Sequence, residues 1–159
     1  MRCIIVRHGK ADASAGSGLD ADRALTGHGR RQAKFLCRAF GAPDRRPALI
    51  LASRFERAIT TARLIQSALG APLRVVGELE VGHPCSAAIS LIARNLAASP
   101  LMLVGHNPQL SELVGALLRG LPPSESGLRT GEAVELELSP PELTGTAKEL
   151  ARFRLEGEG

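Results

Sequence analysis

Two apolar runs in this chain of 159 residues end in the same way. Residues 3–6 lead into Arg7, His8 and Gly9, and residues 101–104 lead into Gly105 and His106. A third run, residues 48–52, leads into Ser53 and, four positions on, Arg57. Two imidazoles and two guanidiniums so placed suit phosphoryl transfer. An unprotonated imidazole nitrogen can attack phosphorus and carry the group covalently, provided a partner on its other nitrogen fixes the tautomer. Guanidiniums stabilise the charge on the equatorial oxygens. A second imidazole, when protonated, adds a donor, and Gly9 permits close backbone approach to a phosphate. The scheme needs no metal, and adjacent guanidiniums disfavour a cation.

Joint placement is what gives these residues weight. A single histidine at a strand end is more often structural, and Arg57 alone reads as a surface charge. In open α/β sheets, however, ligands bind beyond the carboxyl ends of the strands, and Arg57 adds the first turn of a helix, where free backbone N–H groups favour an anion. His28 and His83 lack such company and are expected at the surface. Cys3, Cys37 and Cys85 are widely spaced, have no metal-ligand spacing and read as reduced thiols. A cysteine-phosphatase loop needs Arg six positions after its Cys, where this chain has Gly9, Pro43 and Leu91.

The elements that must position these groups follow from periodicity. Residues 2–6 read as a strand buried on both faces, as in the middle of a parallel sheet. Residues 11–25 are rich in Ala, Ser, Gly and Asp and form a loop. Thr26 opens a helix with Ala33, Leu36 and Phe40 on one face. Residues 48–52 are a second buried strand. Ser53 with Glu56 three positions on predicts a capping box for a helix that carries Ala58, Ala62, Ile65 and Leu69 on one stripe and stops at Gly70. Residues 72–76 predict a third strand, residues 84–97 a helix and residues 101–105 another buried strand. Asn107 suits a cap and Pro108 the first helical position, so residues 108–118 are expected to be helical. A long polar connection over 119–131 precedes "EAVELELS", whose period-two alternation predicts a half-exposed strand near an edge. "ELARFRLE" alternates likewise. Alternating strands and helices with strands at the end define a single α/β domain over 1–159 with a mainly parallel sheet flanked by helices and edge strands near the C-terminus.

Composition narrows the class. The net charge of +4 is carried mostly by arginine, but aromatic residues make up only 3% of the chain. Few stacking platforms are then available for a nucleic acid, so an anionic small group is the better match and no nucleic-acid partner is expected. No apolar run approaches the roughly 18 residues of a membrane span, and the N-terminal run is too short for a signal peptide. The expectation is a cytoplasmic protein with no membrane partner. "DADRAL" follows a Gly/Ser loop instead of a buried strand, and Ala24 stands where the haloacid-dehalogenase nucleophile motif has Thr or Val, so that chemistry is rejected. No phosphate-binding loop ending in Gly-Lys-Ser/Thr exists, and nothing supplies the acid–base group and closed site of a mutase.

The blocks "VRHGK", "DADRALTGHGRRQA", "SRFERAITTA" and "LVGHNPQL", in this order and spacing, resemble the histidine phosphatase superfamily, and within it the small SixA-type phosphohistidine phosphatases. The resemblance covers roughly residues 2–155. It implies a phosphoglycerate mutase-like fold, with His8 as the phosphorylated nucleophile and Arg7, Arg57 and His106 as the phosphate pocket. Arg23 would reach in from the loop as a further phosphate or substrate contact, with Gly9, Ser53 and Asn107 as secondary candidates. Ser53 fits a helix cap better than a substrate contact. The resemblance implies no cofactor or metal. It implies a phosphorylated protein substrate, of which a histidine-containing phosphotransfer domain is the family's example.

Many larger members of that superfamily protonate an alkoxide leaving group with a carboxylic acid, and often have Glu directly after Arg-His-Gly. Here Lys10 stands in that position, and Glu78, Glu80 and Asp12 sit in no recognisable acid motif. An alkoxide needs a proton in the transition state, whereas an imidazole leaving from nitrogen-protonated phosphohistidine does not need one to the same degree. The sequence therefore points to metal-independent hydrolysis of phosphohistidine on a protein. The alternatives are a histidine phosphatase acting on a small phosphate ester and a non-catalytic phosphoprotein-binding module.

Overall fold

A computed structural model describes residues 1–120 and 127–157. Much of the polar connection expected over 119–131 therefore lies outside the described residues. Six strands form one sheet: β1 (Arg2–Arg7), β2 (Leu49–Ala52), β3 (Leu73–Val75), β4 (Leu101–Gly105), β5 (Ala133–Glu137) and β6 (Lys148–Phe153). Their order is β3-β2-β4-β1-β5-β6. The first four run parallel, and β5 and β6 join antiparallel. Four helices flank the sheet: α1 (Gly27–Ala39), α2 (Glu56–Leu69), α3 (Cys85–Ala93) and α4 (Gln109–Arg119). The expected single α/β domain with a mainly parallel sheet is the one observed.

The strand repeat of two divides the core into two layers. Cys3, Ile5, Leu51, Leu101 and Leu103 face α3 and α4, where they meet Leu91, Ile92, Leu110, Leu113 and Leu117. Ile4, Val6, Ile50, Met102 and Val104 face α1 and α2, where they meet Leu36, Phe40, Ala58, Ala62 and Ile65. Burial on both faces explains why β1, β2 and β4 read as continuous apolar runs. Thr26 caps α1, its Oγ1 accepting from the Gly29 N–H at 3.0 Å. Gly70 ends α2 in the left-handed conformation, with φ +75°, as its place after the apolar stripe predicts.

Four local expectations need correction. The capping box at Ser53 does not form: α2 begins at Glu56 behind Phe55, with no side-chain cap. Ser53 turns inward and is fully buried. The helix expected over 84–97 closes at Ala93. Pro108 precedes α4 instead of entering it. Asn107 still does a cap's work, its Oδ1 accepting from the Ser111 N–H at 3.2 Å and from the Ser111 hydroxyl at 2.7 Å. The fourth correction concerns β5, which lies next to the sheet edge as expected but is buried, not half-exposed. β6 covers its outer side, and Glu135 is only 4% exposed. Its carboxylate meets Arg45 at 3.4 Å, and that guanidinium also stacks on Phe40 and Phe153. The alternating glutamate marked a partnered buried charge and not a wet face.

Gly9 and Gly29 fix how α1 meets the end of β1. A Cβ on Gly9 would lie 2.6 Å from the Gly29 carbonyl oxygen, and one on Gly29 would lie 2.2 Å from the Lys10 carbonyl oxygen. Both obstacles are backbone and cannot rotate away. Gly29→Ala gains about 1 kcal/mol of helix propensity but meets overpacking that typically costs about 1–3 kcal/mol, here at a severe distance. A net loss of about 2 kcal/mol is expected in urea unfolding. Gly27→Ala, whose Cβ would meet only the Arg31 side chain at 3.5 Å, is expected to be neutral or stabilising. Equal stabilities for the two variants would refute this account of the contact.

Candidate active site

β1 and β4 are neighbours with Arg7 opposite Gly105, so both chains leave the sheet at one level. The His8 N–H donates to the Gly105 carbonyl at 3.1 Å and ties the two exits together. The rings of His8 and His106 consequently sit with centroids 5.2 Å apart. α2 starts beside them. Arg57, buried in its first turn, donates from Nε to His8 Nε2 at 3.3 Å. Thr61, one turn further, donates to the Arg57 carbonyl at 2.7 Å and accepts from the Gly9 N–H at 3.1 Å.

The tautomer of His8 follows from its partners. Nδ1 lies 2.7 Å from the Gly9 carbonyl oxygen. A carbonyl only accepts, so Nδ1 carries the proton, and Nε2 presents its lone pair toward the Arg57 Nε–H. The guanidiniums are held on their far sides. Arg57 donates from Nη1 to the Asp20 carbonyl at 2.8 Å and from Nη2 to the Asp20 carboxylate at 3.0 Å. The same carboxylate accepts from Arg23 at 2.8 Å, and Arg23 Nε reaches the Asp12 carbonyl at 2.6 Å. Arg7 Nη1 donates to the Leu128 carbonyl at 3.1 Å, and Asn107 donates to that oxygen at 2.7 Å.

An open cavity of about 240 Å³ lies over this cluster, lined by Arg7, His8, Lys10, Arg23, Arg57 and His106, with Asn107 and Thr130 at its wall. No acidic side chain lines it among the described residues. Burial, reinforced by Arg57, Arg7 and Arg23, pushes His8 down to about 4, although its bond to the Gly9 carbonyl acts in the opposite direction. His106 is pushed down to about 3, again first by burial, then by His8 and Arg57. Both rings are therefore neutral at pH 7, and His106 is not the protonated donor the sequence left open. Arg7 is also pulled down, by burial and then by Arg57 and Arg154. Hydrogen bonds from Arg23 and then Arg57 hold the Asp20 carboxyl below the ordinary carboxylate range.

His8, Arg7, Arg57 and His106 thus meet at one sheet edge, and Arg23 joins them from the loop. Gly9 is different: its N–H is taken by Thr61 and its missing side chain makes room for Gly29, not for a phosphate. Ser53 lies behind His106, with its Oγ 2.8 Å from His106 Nε2. The three carboxylates weighed as acids stand outside the cavity lining. Glu78 pairs with Arg94, Glu80 pairs with Arg54 at 3.2 Å, and Asp12 is exposed. His83 is exposed as expected, but His28 is half-buried with an Nε2 that has no partner among the described residues. Sequence reasoning missed three supports: Asp20, Thr61 and Gln32. Gln32 accepts from the Lys10 N–H at 2.8 Å and donates to the Thr130 carbonyl at 2.9 Å. Thr61 and Gln32 share one signal, a polar residue on the buried face of its helix. Asp20 had none, because it sits in a loop without periodicity.

A mainly parallel sheet with antiparallel strands on one side, and this cluster at the carboxyl ends, is similar to the phosphoglycerate mutase-like fold. The family model of the histidine phosphatase superfamily (branch 1) matches residues 3–81, the stretch that holds Arg7, His8, Arg23 and Arg57. No curated protein matches the chain. Among solved structures it is similar to SixA from Agrobacterium tumefaciens, at 26% identity over 97% of each chain and a TM-score of 0.82. The protein histidine phosphatase SixA complexed with tungstate is similar at 22% identity, 97% of each chain and a TM-score of 0.82. A mycobacterial glucosyl-3-phosphoglycerate phosphatase complexed with VO3 is similar at 22% identity, 93% of this chain and 96% of that one, and a TM-score of 0.76. Among the described residues, no helix is long and apolar enough to cross a membrane, and no group of three or more His, Cys, Asp or Glu side chains could hold a metal ion.

The two lowered histidines make stability depend on pH. An unfolded imidazole takes up a proton below its ordinary value of 6.5, while in the folded protein His8 and His106 stay neutral to about 4 and 3. Their contribution is complete above pH 6.5 and is lost as pH falls toward 4. Between pH 7 and pH 5 each imidazole is expected to cost about 2 kcal/mol of unfolding free energy. Urea titrations at the two pH values check this. His106→Gln should flatten the dependence, and a wild-type protein equally stable at both would contradict it.

Proposed function

We propose that the protein is a phosphohistidine phosphatase that takes the phosphoryl group of a phosphohistidine in another protein onto His8 and passes it to water. One observation carries this reading: a buried, neutral imidazole with its lone pair free of a proton faces a cavity lined, among the described residues, by four cations and no carboxylate. In the first displacement a bond forms between His8 Nε2 and phosphorus as the phosphorus–nitrogen bond of the substrate breaks. The departing imidazole takes the electron pair and is neutral, because its other nitrogen keeps a proton. No general acid is required, whereas an alkoxide would need one. In the second displacement a water oxygen attacks phosphorus, the bond to Nε2 breaks, and the pair returns to His8. Both protons of the water leave with the phosphate, as dihydrogen phosphate. The bond from Nδ1–H to the Gly9 carbonyl holds throughout, so His8 also departs as a neutral ring.

Arg7 and Arg57 take the equatorial oxygens and Arg23 reaches them from the loop, each a fixed donor that needs no rearrangement as charge develops. The similar SixA structure is a complex with tungstate, an oxyanion of phosphate shape, which supports an anionic ligand for a protein of this fold. A histidine-containing phosphotransfer domain in the cytoplasm is the substrate this reading favours, since the open cavity admits a side chain presented on another protein. The likeness to the glucosyl-3-phosphoglycerate phosphatase favours a second reading, hydrolysis of a small phosphate ester.

A phosphohistidine protein carrying labelled phosphate, quenched rapidly after mixing, should leave acid-labile label on the enzyme. His8→Ala should abolish that label and slow phosphate release by more than roughly 1,000-fold. Release at the parent rate would remove His8 from the mechanism. Arg57→Ala should cost about 100-fold. Chelators should leave activity intact, and the acidic limb of kcat/KM should fall near pH 4, where His8 gains its proton. Simple phosphate esters should be poor substrates. Rapid turnover of a sugar phosphate would select the second reading, with Glu80 the first acid to replace.

A further inference from the structure

His106 Nδ1 is sealed from solvent and has no hydrogen-bond partner among the described residues. Its other nitrogen lies 2.8 Å from Ser53 Oγ, in a fully buried contact. Buried polar atoms are rarely left unpaired, so the lone one needs a reason. The proton inventory of Ser53 supplies it. Ser53 Oγ already accepts from the Phe55 N–H at 3.2 Å. Among the described residues its own hydroxyl proton has one acceptor within reach, and that acceptor is His106 Nε2.

Two arrangements compete. If Nε2 carried the imidazole proton and donated to Ser53, the hydroxyl proton would be stranded and Nδ1 would be a stranded acceptor: two unmet groups in the interior. If Ser53 donates to Nε2, the imidazole proton sits on Nδ1 and a single donor is unmet. Each stranded group forfeits its hydrogen bond in the interior without water to replace it, so the second arrangement wins. We infer that Ser53 is a positioning residue that fixes the imidazole proton of His106 on Nδ1, and with it the tautomer and orientation of a ring that lines the phosphoryl-binding cavity beside His8. The purpose, though not the tautomer, rests on the phosphoryl-transfer reading above. Arg7 Nε is likewise buried without a partner among the described residues. Burial of His106 beside His8 and Arg57 keeps the ring neutral, which leaves the serine to decide where its one proton sits.

The decisive measurement needs no variant. Nitrogen-15 NMR of histidine-labelled wild-type protein at pH 7 separates protonated from bare ring nitrogens. His106 should show a protonated Nδ1 and a bare Nε2. A protonated Nε2, alone or in an imidazolium, overturns the inference. Ser53→Ala should mix the two tautomers and lower kcat about 10-fold or more with KM changed far less. Ser53→Thr, which keeps the hydroxyl, should restore both the single tautomer and the rate; failure to restore either counts against the inference. The expected tautomer in a protein that hydrolyses no phosphate would overturn the proposed activity and leave the tautomer assignment standing.

Discussion

Everything at this site depends on two parallel strands ending level. Arg7 pairs with Gly105, and from that pair each chain needs one more residue to present a histidine. A slip of one residue in β1 against β4 would exchange the faces of every side chain, sending Arg7 and His8 into opposite layers from those they occupy. The register is held from the other edge as well. Antiparallel β5 begins where β1 ends, and its approach donates the Gly131 N–H to the carbonyls of both Arg7 and His8 and accepts the Arg7 N–H at the Glu132 carbonyl. The nucleophile candidate thus sits on backbone fixed from two sides, which is the rigidity that preorganised electrostatics requires.

Crowding of like charge is the second constraint, and the protein meets it with dipoles more than with counter-ions. Arg7 is braced by the Leu128 carbonyl, Arg57 by the Asp20 carbonyl and Arg23 by the Asp12 carbonyl. Carbonyl oxygens orient a guanidinium without cancelling its charge, so the cavity stays strongly positive. Two histidines survive there because burial and the surrounding cations both favour the uncharged ring. The field that attracts an anion is the same one that keeps His8 in its nucleophilic form.

How much of this could be read from the residues follows from what sets each feature. β1, β2 and β4 were legible because strands buried on both faces leave continuous apolar runs, and the four principal side chains were legible because they directly follow those runs or open the next helix. β5 was misread because a buried glutamate obeys the same alternation as an exposed one; only the distant Arg45, which also lies over the Phe40 and Phe153 rings, distinguishes them. Ser53 was misread because Ser-x-x-Glu suits a cap wherever a helix starts, and the choice was made instead by His106, more than fifty residues away, which draws the hydroxyl inward. Gly9 was assigned to a ligand when its constraint came from Gly29. In each case the deciding partner lay far along the chain, beyond any local pattern.

Asp20 has a consequence beyond its place in the hydrogen-bond network. Its carboxylate already occupies Arg57 and Arg23 when no phosphate is bound, so an arriving anion competes with a resident one. The forks stay aimed at the cavity at all times, yet part of their binding strength is withheld. An enzyme that must release inorganic phosphate after every cycle has use for such a rival: with the carboxylate ready to reclaim both guanidiniums, product leaves a site that closes its own charge behind it, and affinity for the anion is capped while the geometry that receives it is kept.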